Sequence, residues 1–263
     1  MNELVVREPL VGGQPPDVGD LVREAFQDVL QDIGPYAMAG LGHTVVVVPV
    51  VIFAVILLYV GLIVGTFGGF LGIAFFAALA GAVAGEGAVA LSFVLGNLLA
   101  ILFTFLCMVA FGAAIGAVLA PFNASLTRAI AAHQRGETEL SFASPFTTAT
   151  QDLPSVILGS ALLAALSMLL LMFCYVPVLL VPLVFGFFNA FIYLHRLSPI
   201  GAFRTSLTHF RDHLNFHLTM AVVSFALSMV ASYVPVLGPA FLMALHVRAY
   251  RSMFGDGPEP MLD

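Results

Sequence analysis

The sequence predicts an all-α, polytopic membrane helical bundle, and three observations carry that prediction. Hydrophobic residues fill 60% of the 263 positions and charged residues only 9%, against roughly 45–50% and about 25% in water-soluble domains. The mean hydropathy is +1.05. Residues 44–66 and 88–120 hold no charge at all, and about 20 apolar residues suffice for a helix to cross a bilayer. A transmembrane barrel would instead alternate polar and apolar residues in segments of ~10, whereas these runs are continuous.

Charge and terminal composition narrow the class. A net charge of −6 argues against a nucleic-acid partner. All nine basic residues are arginine, and Phe (24) far outnumbers Tyr (6), with no Trp. Glu3, Glu8, Asp17, Asp20, Glu24, Asp28 and Asp32 fill the N-terminal region without an apolar core, so no cleaved signal peptide is expected. Cys107 and Cys174 lie in separate apolar runs and are read as reduced thiols.

Taken in order, residues 1–19 form a polar, Pro- and Gly-rich tail. Asp20 is placed to cap a helix running to Ile33. Val22, Ala25, Phe26, Val29, Leu30 and Ile33 form its apolar stripe, opposite Arg23, Glu24, Gln27, Asp28, Gln31 and Asp32. Interfacial helices usually carry a basic polar face. This acidic one is expected to dock either on the protein's own cytoplasmic surface or on a partner. Gly34-Pro35 ends it. Residues 41–66 form the first span, with a kink expected at Pro49. Residues 66–84, rich in Gly and Ala, form a further span or a re-entrant segment. The run 88–120 exceeds a bilayer's need, so it tilts or leaves the membrane before Pro121. Its Gly112 and Gly116, flanked by Ala113 and Ala117, make a face suited to close helix contact. Residues 123–153 return through solvent, carrying Arg128, His133, Arg135, Glu137, Glu139 and Asp152. Spans at 155–173 and 178–194 follow, joined at Tyr175-Val176-Pro177-Val178-Leu179.

The clearest unit is 198–254: an amphipathic helix at 199–214, a span at 216–234, a turn at 233–239 and a last span ending in Tyr250-Arg251. Short motifs tie it to the stretch before it. Ser144-Pro145-Phe146 parallels Ser198-Pro199-Ile200, Ala165-Leu166-Ser167-Met168 parallels Ala226-Leu227-Ser228-Met229, and the Tyr-Val-Pro-Val-Leu turn occurs at both 175 and 233. Ordered matches of this kind predict a duplication. The expected plan is one transmembrane domain over 20–255, built of units 20–120, 144–196 and 198–254, with a tail at 256–263. Basic loops face the cytoplasm, which puts Arg7, Arg23, Arg128, Arg135, Arg196, Arg204, Arg211, Arg248 and Arg251 inside. An even number of crossings must then separate Arg23 from Arg128. Six spans satisfy that, with 66–84 re-entrant or outside and both termini cytoplasmic.

Three constellations are candidates for function. On the 199–214 helix, Ile200, Phe203, Leu207, Phe210 and Leu214 form a stripe flanked by Arg204 and Arg211. Buried Phe with Arg reaching toward phosphates is the pattern of an interfacial helix, so Arg204, Arg211, Phe203 and Phe210 are the expected lipid or partner contacts. His209, His213 and His217 recur every fourth residue along one edge. That spacing can chelate a transition metal or form a titratable row facing headgroups. Asn97, Asn189, Ser224 and Ser228 are the polar groups within spans, either partners between helices or the lining of a solute path. No ionisable group lies mid-span as ion-coupled transport usually requires, and His43 and His246 are expected at the interface. No phosphate loop, nucleophile elbow or catalytic carboxylate pair is present, so neither an enzyme nor a bound cofactor is expected.

Arg135-Gly136-Glu137 followed by Ser141, Pro145 and Phe146, then Ser198-Pro199-Ile200 with Ala202-Phe203-Arg204, and the closing Ala249-Tyr250-Arg251-Ser252-Met253-Phe254-Gly255 form a pattern. It resembles a loose group of bacterial six-span membrane proteins that includes the membrane domain attached to some glycerophosphodiester phosphodiesterases. The likeness covers residues 112–255 and no catalytic domain. It implies fold, thread and a bacterial inner-membrane setting, and no activity. The function expected is that of a scaffold or accessory protein touching membrane lipids or a protein partner, including a second copy. A channel or facilitator and a His-ligated metal protein are the alternatives.

Overall fold

Asp17, rather than Asp20, starts the first helix. In the computed structural model, which describes residues 14–84, 86–147, 152–173 and 181–255, the Asp17 carboxylate accepts from the Gly19 and Asp20 amides at 2.7 and 3.2 Å. Helix α1 spans Val18–Gln31. Its buried stripe is Val18, Leu21, Ala25 and Val29, one residue round from the expected one, and Phe26, Leu30 and Ile33 stay exposed. The rotation has an electrostatic cause. Arg248, on the last helix, donates from Nε and Nη2 to Asp28 and from Nη1 to Glu24 at 2.7 Å, which turns the acidic edge of α1 inward. The helix therefore docks on the protein itself.

Helix α2 covers Ile33–Ala84 and α3 covers Glu86–Gln134. At 1.5 Å per residue they measure roughly 78 and 74 Å, more than twice the ~30 Å hydrocarbon core. The expected boundary at Thr66 does not occur, and α3 continues through Pro121 to Gln134, into the stretch expected to return through solvent. A glycine weakens a helix by about 1 kcal/mol, but opening the backbone in apolar surroundings costs several kcal/mol for each unpaired group. Continuity wins. Gly96 serves packing: a methyl group on it would fall 2.7 Å from Ile73, whereas Gly65, Gly69 and Gly72 line an open groove between α2 and α3.

Helix α4, Leu153–Phe173, lies along α3. The small face expected at Gly112 and Gly116 is the contact: a Cβ on Gly116 would sit 2.6 Å from both the Ser160 carbonyl oxygen and Ala164 Cβ, and one on Gly112 would strike Met168. After a helical stretch at 181–185, the short helix α5, Phe188–Tyr193, packs back on α4. The first Tyr-Val-Pro-Val-Leu turn and Cys174 lie outside the described residues, and Cys107 is a free cysteine. Helix α6, Pro199–Asp212, is capped by Ser198, with Pro199 in its first turn. A corner at His213 leads into α7, Leu214–Ala231, and α8 returns over Leu237–Phe254. The turn spans 232–236, so Leu237, Gly238 and Pro239, expected within it, open α8 instead.

All described regular structure is helical. Among the described residues, four helices are long and apolar enough to cross a membrane: residues 33–83 and 89–134, and the two of about 20 residues at 153–171 and 214–231. Residues 181–193 form a shorter apolar helix. The two buried clusters share one end of the molecule. One centres on Phe188, Phe191, Ile192 and Tyr250, the other on Tyr36, Leu126, Ile130 and Ala244. At that end His133 meets Asp32 at 3.2 Å, and Gln134 donates to the Ala244 carbonyl at 3.2 Å. Arg128 donates to the Tyr193 carbonyl at 2.8 Å.

Candidate functional site

Helix α6 presents its two faces in an unusual sense. Its buried residues are Ala202, Thr205, Ser206 and His209, small or polar groups that pack against the bundle. The apolar stripe points away: Ile200, Phe203, Leu207 and Leu214 are 68, 43, 47 and 51% exposed. Arg204 is exposed on the same helix, as is Arg211, which pairs with Asp212 at 3.1 Å. A soluble protein would turn the stripe inward, because each large apolar side chain taken out of water contributes about 1.5–3 kcal/mol. An outward apolar stripe with arginines beside it matches a helix lying at the membrane surface.

Beside the stripe runs a groove of about 310 Å³ lined entirely by apolar residues, among them Leu162, Leu166, Phe185, Phe188, Ile200 and Phe203. Phe203 stacks on Phe185 with ring centroids 5.0 Å apart, so the groove wall is rigid aromatic surface. Phe210 points elsewhere. Its ring meets His217 edge-on at 5.6 Å, and it is partly covered. Of the four expected contacts, Arg204, Arg211 and Phe203 face outward, while Phe210 braces the corner between α6 and α7.

The histidine row becomes a hydrogen-bonded pair. His209 Nδ1 lies 2.7 Å from His217 Nε2, both side chains being buried. One imidazole must donate and the other accept, so the accepting ring is neutral. Burial and the neighbouring His217 and His213 push His209 down to about 3. Phe187, Phe216 and Phe254 close around the pair. His213 stands at the corner, its ring 4.6 Å from that of His209. Among the described residues no group of three or more His, Cys, Asp or Glu side chains is disposed to hold a metal. The direct bond between imidazoles uses the nitrogens a shared ion would need.

The in-span polar residues do not share one path. Asn97 donates to the Phe93 carbonyl at 2.7 Å on the exposed arm of α3. Asn189, on α5, has a buried Oδ1 without a hydrogen-bond partner. Ser224 meets His246 at 3.4 Å and lines a cavity of about 20 Å³ with His217. Ser228 donates back to the Phe225 carbonyl and lines a different cavity, with His43 and Thr44. His43 is buried and bonds to Asn123 at 2.7 Å, joining α2 to α3, and His246 Nδ1 reaches the Leu242 carbonyl at 2.8 Å. Sequence patterns gave no signal for the pairs Ser160–Tyr193, at 2.6 Å, and Tyr250–His195, because their partners lie 33 and 55 residues apart.

No known protein family, curated protein or solved structure matches this chain.

Proposed function

We infer that the chain is a non-enzymatic integral protein of the bacterial inner membrane, a scaffold or accessory protein that engages membrane phospholipid through α6. The carrying observation is the outward apolar stripe of α6 with Arg204 and Arg211 at its flank. Phe203 and the adjoining groove accept acyl-chain carbon, and the arginines lie within reach of phosphates at the same depth. The thread that goes with this reading has six spans in three units, each an amphipathic segment followed by a hairpin, with both termini cytoplasmic. It is supported by the gathering of Arg128, Arg248 and the acidic helix α1 at one end of the bundle.

Native mass spectrometry of protein released from nanodiscs containing phosphatidylglycerol tests the reading. The wild type retains bound phosphatidylglycerol, and the Arg204→Ala/Arg211→Ala double variant retains severalfold less at equal fold content. Equal retention by the two proteins would overturn it.

A further inference from the structure

Helix α1 meets the bundle with one face and leaves a second apolar face open. Val18, Leu21, Ala25 and Val29 are buried against the protein. Phe26 and Leu30, one turn apart, share the neighbouring face, and Ile33 follows at the start of α2. These three are 53, 53 and 49% exposed. Gln27 and Gln31, toward the remaining side, are exposed polar residues. The helix therefore has three sides: one on protein, one apolar and open, one polar and open.

The open apolar side does not stop with α1. Past the corner at Asp32, exposed apolar residues continue along α2 as Met38, Leu41, Val45 and Val48, at every third or fourth position and hence on one face. That helix is long and apolar enough to cross a membrane over residues 33–83, so its outward stripe meets lipid when it does. The open face of α1 adjoins this lipid-facing surface.

Charge is sorted around the same face. Glu24 and Asp28 turn toward Arg248 on α8, and Asp32, at the C-terminal cap, turns toward His133 on α3. Arg23, the one basic residue of α1, is exposed and stands two turns before Leu30, on the edge of the apolar face. The negative potential of an anionic leaflet opposes an acidic helix, and the pairings with Arg248 and His133 draw that acidity onto the protein. What is left at the apolar edge is an arginine, whose stem covers apolar surface while its head reaches phosphates.

We propose that α1 is a second membrane-contact helix, set into the bilayer surface by Phe26, Leu30 and Ile33 and held in that pose by Arg248. The occupant of its open face is phospholipid acyl chain. This contact presupposes that α2 spans a bilayer, and it is independent of the lipid contact of α6.

Single nitroxide labels test it, placed by Phe26→Cys, Leu30→Cys, Gln31→Cys or Phe53→Cys in the full chain carrying Cys107→Ser and Cys174→Ser. Power saturation in nanodiscs of phosphatidylcholine and phosphatidylglycerol compares access by oxygen, which concentrates in hydrocarbon, with access by a nickel chelate, which stays in water. Labels at 26 and 30 favour oxygen severalfold more than the label at 31 and approach the label at 53, an exposed position within the span of α2. Adding Arg248→Met moves the label at 26 toward the value at 31, and no movement removes Arg248 as the holding residue. Nickel access at 26 and 30 equal to that at 31 overturns the lipid contact. Shielding of both labels from both reagents also overturns it, because protein then covers the face. A label at 53 that favours nickel removes the membrane span of α2 itself, and the contact with it.

Discussion

Replacing Gly116 by alanine tests the contact on which the α3–α4 packing rests. The new Cβ would lie 2.6 Å from the Ser160 carbonyl oxygen and 2.6 Å from Ala164 Cβ, where carbon contacts normally settle near 3.5–4.0 Å. Neither neighbour can rotate away, one being backbone and the other a methyl on its own Cα. The two helices must separate by roughly 1 Å. Overpacking of this kind costs about 1–3 kcal/mol, and the alanine returns about 1 kcal/mol through helix propensity. The net expectation is a loss of about 1 kcal/mol. Gly68 is the control, since a Cβ there meets nothing within 4 Å. Gly68→Ala carries only the favourable term, about 0.5–1 kcal/mol. Denaturation in detergent should move the two variants in opposite directions, separated by roughly 2 kcal/mol. Gly112→Ala should fall between them, because the flexible Met168 side chain it strikes can yield. A Gly116→Ala protein as stable as Gly68→Ala would refute the close approach of α3 and α4.

Other expectations follow from the polar pairs. A double-mutant cycle between Arg248→Met and Asp28→Asn should give a coupling of about 1–2 kcal/mol, because the two side chains are only 28 and 25% exposed; limited proteolysis should cut α1 faster in either single variant. Ser160→Ala or Tyr193→Phe alone should lose about 1–3 kcal/mol by stranding a buried hydroxyl, while the double variant recovers much of it, as read by thermal unfolding. His209 stays neutral when folded down to about pH 3, whereas the unfolded chain takes up its proton below about 6.5. Its contribution is therefore complete above pH 6.5 and is lost progressively as the pH falls toward 3. Unfolding midpoints from pH 8 to 5 should fall less steeply in His209→Gln, and identical slopes would remove His209 as the cause.

What the sequence determined by itself is local and one-dimensional. Apolar runs set the membrane class, Ser198-Pro199 set the start of α6, and the Tyr233-Val234-Pro235 stretch set the last chain reversal, because capping and chain reversal depend on a few adjacent residues. The Gly112 and Gly116 face was legible for the same reason. Tertiary structure decided which side of each helix is inside. The periodicity of α6 is the same whether its stripe meets protein or lipid, and only the small residues Ala202, Thr205 and Ser206 packing inward turn the stripe outward. The face of α1 was misjudged by one position because its partner, Arg248, lies 220 residues from Asp28. The histidine spacing was visible, but a chelating row and a hydrogen-bonded pair have equal sequence spacing, and the corner at His213 brings His209 onto His217. The convergence of Arg128, Arg135 and Arg196 around one cleft was the least legible feature, because residues spread along the chain meet only when the elements carrying them pack together.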